Sequence, residues 1–273
     1  MIRLAVRCQP EQADLVLAEL AALAPNGFEE ERGDGYVEFA IYGAEGELPD
    51  LGRIEAVTGE GKVEVDATEV PDDWADRWQD FHKPLLVGER VWIRPSWAEQ
   101  RPDALDVVID PGRAFGTGAH ATTRMCVEML VELAADGANK EALADLGTGS
   151  GVLAVAAAKL GWDPVLGFDH EPASLQAAGE NAAANGVELQ LERVNLREEL
   201  PALAPTVVAN LTAPLLRHVA RYLERRELPR QLVCSGVLEA EVKEVSSAFG
   251  RAGLIERERR SEGEWAAISF APR

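Results

Sequence analysis

The most constraining segment of this chain is Ala142-Leu-Ala-Asp145-Leu-Gly147-Thr-Gly149-Ser-Gly151 running into Val152-Leu-Ala-Val-Ala-Ala-Ala-Lys159, followed by Val165-Leu-Gly-Phe-Asp169. It reads as a strand, a glycine turn, a helix and a second strand closing on a carboxylate, a βαβ unit of about 25 residues. Glycines at every second position let the backbone approach a bulky ligand with no β-carbon in the way. Asp169 can accept hydrogen bonds from two hydroxyls. The pattern is that of a nucleoside site. The bland reading, an ordinary glycine-rich turn beside a solvated aspartate, leaves the joint occurrence of acid, turn, helix and second acid unexplained.

Two details bear on which nucleoside. A dinucleotide fingerprint reads Gly-x-Gly-x-x-Gly, whereas here Gly151 comes one residue early and Val152 holds the expected place. Asp145 ends the first strand, where its charge would repel a diphosphate but could help hold the ammonium of a methionine moiety, directly or through water. Both details favour S-adenosylmethionine over a nicotinamide dinucleotide.

At 273 residues and 47% hydrophobic composition, the chain is long enough for one large domain and a small one. No apolar run approaches the roughly 18 residues of a membrane span, and Met1-Ile-Arg-Leu-Ala-Val-Arg7 lacks a signal-peptide core. A soluble, cytoplasmic protein with no membrane partner is expected. Cys8, Cys126 and Cys234 are odd in number and far apart, and neither they nor His82, His120, His170 and His218 have metal-ligand spacing. Buried reduced thiols and no structural metal are expected. The formal charge is −20, and residues 1–73 hold 18 acidic against 5 basic side chains. Such a surface repels nucleic acid and attracts a basic partner, although charge that only maintains solubility is the alternative.

Residues 1–70 read as a compact α/β unit, with strands near 2–7 and 35–41, a helix over 10–24 and a helix–strand pair through 50–68. Trp74, Trp78 and Phe81 then share one face of a short linker helix over 71–84, which Pro84 stops. Residues 85–273 form the larger domain: strands near 85–95 and 105–110, a helix over 121–135, then the nucleoside unit. After it come a helix over 172–185, strands 187–194 and 205–211, helix 213–225, strand 229–235, helix 238–252 and strands 254–260 and 264–270. Alternation of this kind predicts a mostly parallel, doubly wound sheet with its site at the C-terminal strand edges. The last two strands, joined through Ser261-Glu-Gly263, can only be antiparallel.

Two further segments carry chemistry. Asp110-Pro-Gly112-Arg-Ala-Phe115-Gly-Thr-Gly118-Ala-His120-Ala-Thr122-Thr123-Arg124 surrounds a Phe with glycines before a helix, as a loop that closes on a ligand would, while a threonine hydroxyl caps the helix. Val207-Val-Ala-Asn210-Leu-Thr-Ala-Pro214 places Asn210 at the C-terminal end of a strand. There its carbonyl, beside a backbone carbonyl, could accept the hydrogens of an amine and aim its lone pair at a methyl donor. The rival role for Asn210 is a cap on the following helix.

These segments, together with Trp74 to Pro84 and Gly263-Glu-Trp265, resemble the ribosomal protein L-eleven methyltransferase family, PrmA, and the Phe-Gly-Thr-Gly-x-His-x-Thr-Thr loop is the discriminating piece. The resemblance covers nearly the whole chain and is specific from about residue 71 onward. It implies an α/β fold, a Rossmann-like seven-stranded class I methyltransferase sheet with a smaller N-terminal α/β substrate-recognition domain. It implies S-adenosylmethionine contacts at Thr123, Gly147, Gly149, Asp169 and Asn210, Phe115 on the closing loop, and Asn210 as the catalytic positioning group. The implied reaction is N-methylation of lysine ε-amino or N-terminal α-amino groups of a ribosomal protein. Given the acidic N-terminal region, the expected partner is the free basic protein without bound RNA. Methylation of another protein's lysine or a small amine, and a non-catalytic S-adenosylmethionine-binding assembly factor, are the alternatives. His170 and Glu171 stand where the family usually has an aliphatic residue and an aspartate.

Overall fold

The computed structural model describes residues 2–13, 16, 29–33, 35–43, 63–69, 83–110, 120–135 and 140–273. The chain divides into two compact units, Met1–Phe81 and His82–Arg273. Most of the helix expected over 10–24, the linker helix up to residue 82 and Phe115 lie outside the described residues.

The first unit contains an antiparallel sheet of β1 (Ile2–Cys8), β2 (Glu29–Gly33), β3 (Tyr36–Gly43) and β4 (Val63–Glu69), in the order β2-β3-β1-β4. Gly33 and Tyr36 are register partners, so β2 and β3 form a hairpin. Sequence reading misses β2 because Glu29-Glu30-Glu31-Arg32 shows no apolar alternation. Arg7 and Glu38 are register partners on β1 and β3, and Arg7 Nη2 lies 2.7 Å from Glu38 Oε2. That pairing lets a carboxylate sit in a buried strand.

In the second unit, β5 (Leu85–Val87), β6 (Val91–Arg94) and β7 (Leu105–Val108) form a small sheet. The single strand expected over 85–95 is two, because Gly88 and Glu89 turn the chain through positive φ. Arg94 is buried and grips Asp106 across β6 and β7 with both Nε and Nη2, at 2.7 and 2.8 Å, while its Nη1 donates to the carbonyls of Pro95, Ser96 and Ala98 and ties the 95–104 loop to the sheet.

The large sheet comprises β8 (Leu143–Leu146), β9 (Val165–Asp169), β10 (Gln190–Arg193), β11 (Thr206–Asn210), β12 (Gln231–Leu238), β13 (Leu254–Glu262) and β14 (Trp265–Pro272). Its order is β10-β9-β8-β11-β12-β14-β13, parallel except that β14 runs against both neighbours. Five described helices cover it: α1 (Ala121–Ala135), α2 (Val152–Leu160), α3 (Pro172–Asn185), α4 (Ala213–Leu223) and α5 (Val242–Ala252). Alternate strand residues serve the two faces. Leu143, Val165 and Val208 pack with α1 and α2, whereas Ala144, Phe168 and Val207 pack with α4 and α5. Helix α2 is apolar on every side because it packs against α1, α3 and strands β7, β8 and β9 at once.

Two boundaries shift. The strand expected over 187–194 shrinks to Gln190–Arg193, since Val187 and Leu189 leave the ladder to pack on the core beneath. The helix expected from 238 begins at Val242, because β12 continues to Leu238 and a single 3₁₀ turn intervenes. Edge strand β13 alternates Glu256-Arg-Glu-Arg-Arg260, and that charge blocks pairing with another sheet. Among the described residues, no helix is long and apolar enough to cross a membrane.

Candidate active site

The strand order reverses between β8 and β11, and the C-terminal ends of β8, β9, β10 and β11 open there into a cleft of about 300 Å³. The glycine turn forms its floor. Gly151 has φ +81, and a β-carbon on it would lie 2.9 Å from Ala178 Cβ, so only glycine lets α3 close over the start of α2. This tight packing brings β9 up to the turn, where Asp169 Oδ2 accepts the Gly149 N–H at 3.0 Å. Asp169 Oδ1 accepts the Glu171 N–H at 3.0 Å. The carboxylate is thereby fixed on the wall of the cleft, with lone pairs left for a vicinal diol.

Across the cleft stands Asn210, the one residue of β11 that is not buried. Its Nδ2 donates to Thr122 Oγ1 and Thr123 Oγ1 at 3.2 and 3.3 Å. The capping role weighed for Asn210 does not hold, since α4 begins at Ala213 with Thr212 at its N-cap. Nor does a threonine hydroxyl cap α1. His120 stands there instead, and its Nδ1 accepts the Thr122 N–H at 3.4 Å.

Thr123, Gly147, Gly149, Asp169 and Asn210 therefore line a single cleft, while Phe115 falls outside the described residues. For Asp145, expected to act on the ammonium directly or through water, the structure bears on the direct contact. Asp145 is fully buried beneath the turn, is absent from the cleft wall, and binds Thr148 Oγ1 at 2.8 Å through Oδ2 while Oδ1 has no partner. Direct contact with a ligand's ammonium is thus not its role. Burial pushes its pKa up to about 7, against the opposing pull of the Thr148 hydroxyl.

Sequence reasoning misses three contributors. Leu211 and the Asn195–Arg197 segment line the cleft through positions with no chemical signature. Asn181 and Asn185, four apart on α3, bind Asp110 N, Ser150 O and both backbone groups of Val108 at 2.6 to 3.2 Å. They stitch β7 to the glycine turn. Two asparagines on one helical face, where helix propensity disfavours them, were the available signal.

The model of the family described as ribosomal protein L11 methyltransferase (PrmA) matches residues 36–273. A relative of that name from Alteromonas mediterranea is 40% identical over 232 residues, 83% of this chain and 76% of the relative. One from Vibrio campbellii is 42% identical over 201 residues, 72% of this chain and 66% of the relative. A crystal structure of a ribosomal protein L11 methylase from Lactobacillus delbrueckii subsp. bulgaricus superposes with TM-score 0.62 at 29% identity, covering 70% of this chain and all of that one. The chain belongs to the ribosomal protein L11 methyltransferase (PrmA) family.

Proposed function

We propose that this chain transfers methyl groups from S-adenosylmethionine to amines of ribosomal protein L11, lysine ε-amino groups, the N-terminal α-amino group, or both. The observation that carries the reading is the orientation of Asn210. With Nδ2 spent on two threonine hydroxyls, Oδ1 is left as the acceptor at the cleft. When bound, S-adenosylmethionine supplies a methyl group on a cationic sulfur. The residues present suit such a ligand: Asp169 for the ribose hydroxyls, Gly147 and Gly149 for close backbone approach, Thr123 and Asn210 at the donor end.

Only a neutral amine can attack. Neutralising a lysine at pH 7 costs about 4.6 kcal/mol and an α-amine about 1.1 kcal/mol, from reference pKa values near 10.4 and 7.8. The cleft lowers that cost by taking water from the amine. Asn210 Oδ1 then accepts an amine hydrogen and directs the lone pair, so positioning dominates over acid–base chemistry.

The acidic first 73 residues favour the free basic protein as acceptor, with the N-terminal unit presenting it and no nucleic acid in contact. Mass spectrometry of L11 and of intact ribosomes after reaction tests both halves of the reading. Methylation of L11, faster when the protein is free, is expected. Failure to methylate L11 overturns the substrate, and faster reaction on ribosomes overturns the free-protein preference. Asn210→Ala should lower turnover about a hundredfold with the affinity for S-adenosylmethionine kept within severalfold.

A further inference from the structure

We infer that His120 is a positioning residue for this transfer: its Nδ1 lone pair orients the Thr122 hydroxyl and, through it, the amide of Asn210. The inference rests on the proposed role of Asn210. His120 Nδ1 receives the Thr122 backbone N–H at 3.4 Å, and a backbone N–H can only donate. Nδ1 is therefore an acceptor, and the proton of the neutral ring sits on Nε2. Thr122 Oγ1 lies 2.8 Å from the same Nδ1 and must give its single hydrogen to it. That leaves only lone pairs on Thr122 Oγ1 toward Asn210, so the amide must present its NH₂ there, at 3.2 Å. Asn210 Oδ1 is forced to the other side, where a β-carbon on Gly236 would come within 3.1 Å of it. Among the described residues, His120 Nδ1 is the acceptor that holds the Thr122 hydroxyl hydrogen; without it that hydroxyl can donate to the asparagine, which would turn its carbonyl away from the acceptor.

The surroundings keep the ring neutral. Trp265 on β14 stacks edge-on at 5.0 Å between centroids. Loss of water, then the Arg124 cation on α1, hold the imidazole below its ordinary value, and Glu262 on β13, paired with Arg124, opposes them. Protonating Nδ1 would make it a donor and reverse the relay.

Three variants of the full chain, assayed with S-adenosylmethionine and ribosomal protein L11, test this. His120→Phe keeps a ring against Trp265 but removes the acceptor. It should lower kcat by roughly 10- to 100-fold with KM for S-adenosylmethionine nearly unchanged. His120→Asn restores an acceptor at the helix start and should recover most of that loss. Unchanged kcat in His120→Phe, or a loss that His120→Asn does not rescue, would each overturn the inference. In the Asn210→Ala background, His120→Phe should cost no further turnover. If Asn210→Ala itself keeps full turnover, the reading of Asn210 falls and the relay with it. If Asn210→Ala is crippled and His120→Phe is not, only the relay falls.

Discussion

Gly236 and Leu211 approach so closely that a β-carbon on the glycine would stand 2.4 Å from the Leu211 carbonyl oxygen. Gly236 lies where the register of β12 against β14 shifts, and its φ is +82. The bulge thus makes room for the backbone carbonyl that neighbours Asn210, the second acceptor available to an amine. Gly236→Ala should lower turnover about a hundredfold, beyond the loss of stability that the positive φ and the crowded Leu211 carbonyl impose. Steady-state kinetics beside a thermal melt check this. Lost stability with intact turnover would make the glycine only structural.

Asp169 spends one lone pair on each of two backbone N–H groups, has His170 Nδ1 3.4 Å from Oδ1, and lines the cleft with its carboxylate. Asp169→Ala removes a charged acceptor worth roughly 1.5–3 kcal/mol for each hydroxyl it binds. Calorimetric affinity for S-adenosylmethionine should fall about a hundredfold or more, while kcat at saturation changes only severalfold. The opposite split would place Asp169 in the transfer step.

The nucleoside unit was legible because its central strands are short, mostly apolar and punctuated by glycine, as with Leu143–Leu146 before Gly147. Val187 and Leu189 misled for the same reason: two apolar residues read as strand whether they pair or only fill the core. At the site, Asp169 and Asn210 could be found because a polar residue ending an apolar strand must be satisfied there. Leu211 could not, since its contribution is backbone. Asp145 had the right residue type and the wrong depth, which sequence does not encode. His120 stood in a motif already singled out, but its partner Asn210 lies 90 residues away in sequence, and only folding joins them.

Asn185 binds both the N–H and the C=O of Val108, at 2.8 and 2.6 Å, in a buried setting. Asn185→Ala strands both backbone groups, each at about 1–3 kcal/mol. Urea unfolding should show a loss of roughly 2–6 kcal/mol with an unchanged denaturant slope. Asn185→Asp keeps the acceptor for the Val108 N–H but sets a carboxylate against the Val108 carbonyl, and it should cost at least as much.

Asp145 gives the stability of the large unit a distinct pH dependence. Its folded pKa of about 7 lies above the ordinary aspartate value of 3.8, so the native state prefers the protonated acid. The stabilisation linked to that proton is complete below about pH 4, declines as the unfolded chain ionises first, and is gone once pH passes through about 7. Above that, the fold carries a buried carboxylate whose Oδ1 has no partner. Asp145→Asn keeps an oxygen for the Thr148 hydroxyl and cannot ionise. Melting temperatures from pH 5 to 8 should therefore decline in the wild type relative to Asp145→Asn. A difference that stays constant or changes in the other direction across that range would mean that Asp145 is ionised throughout.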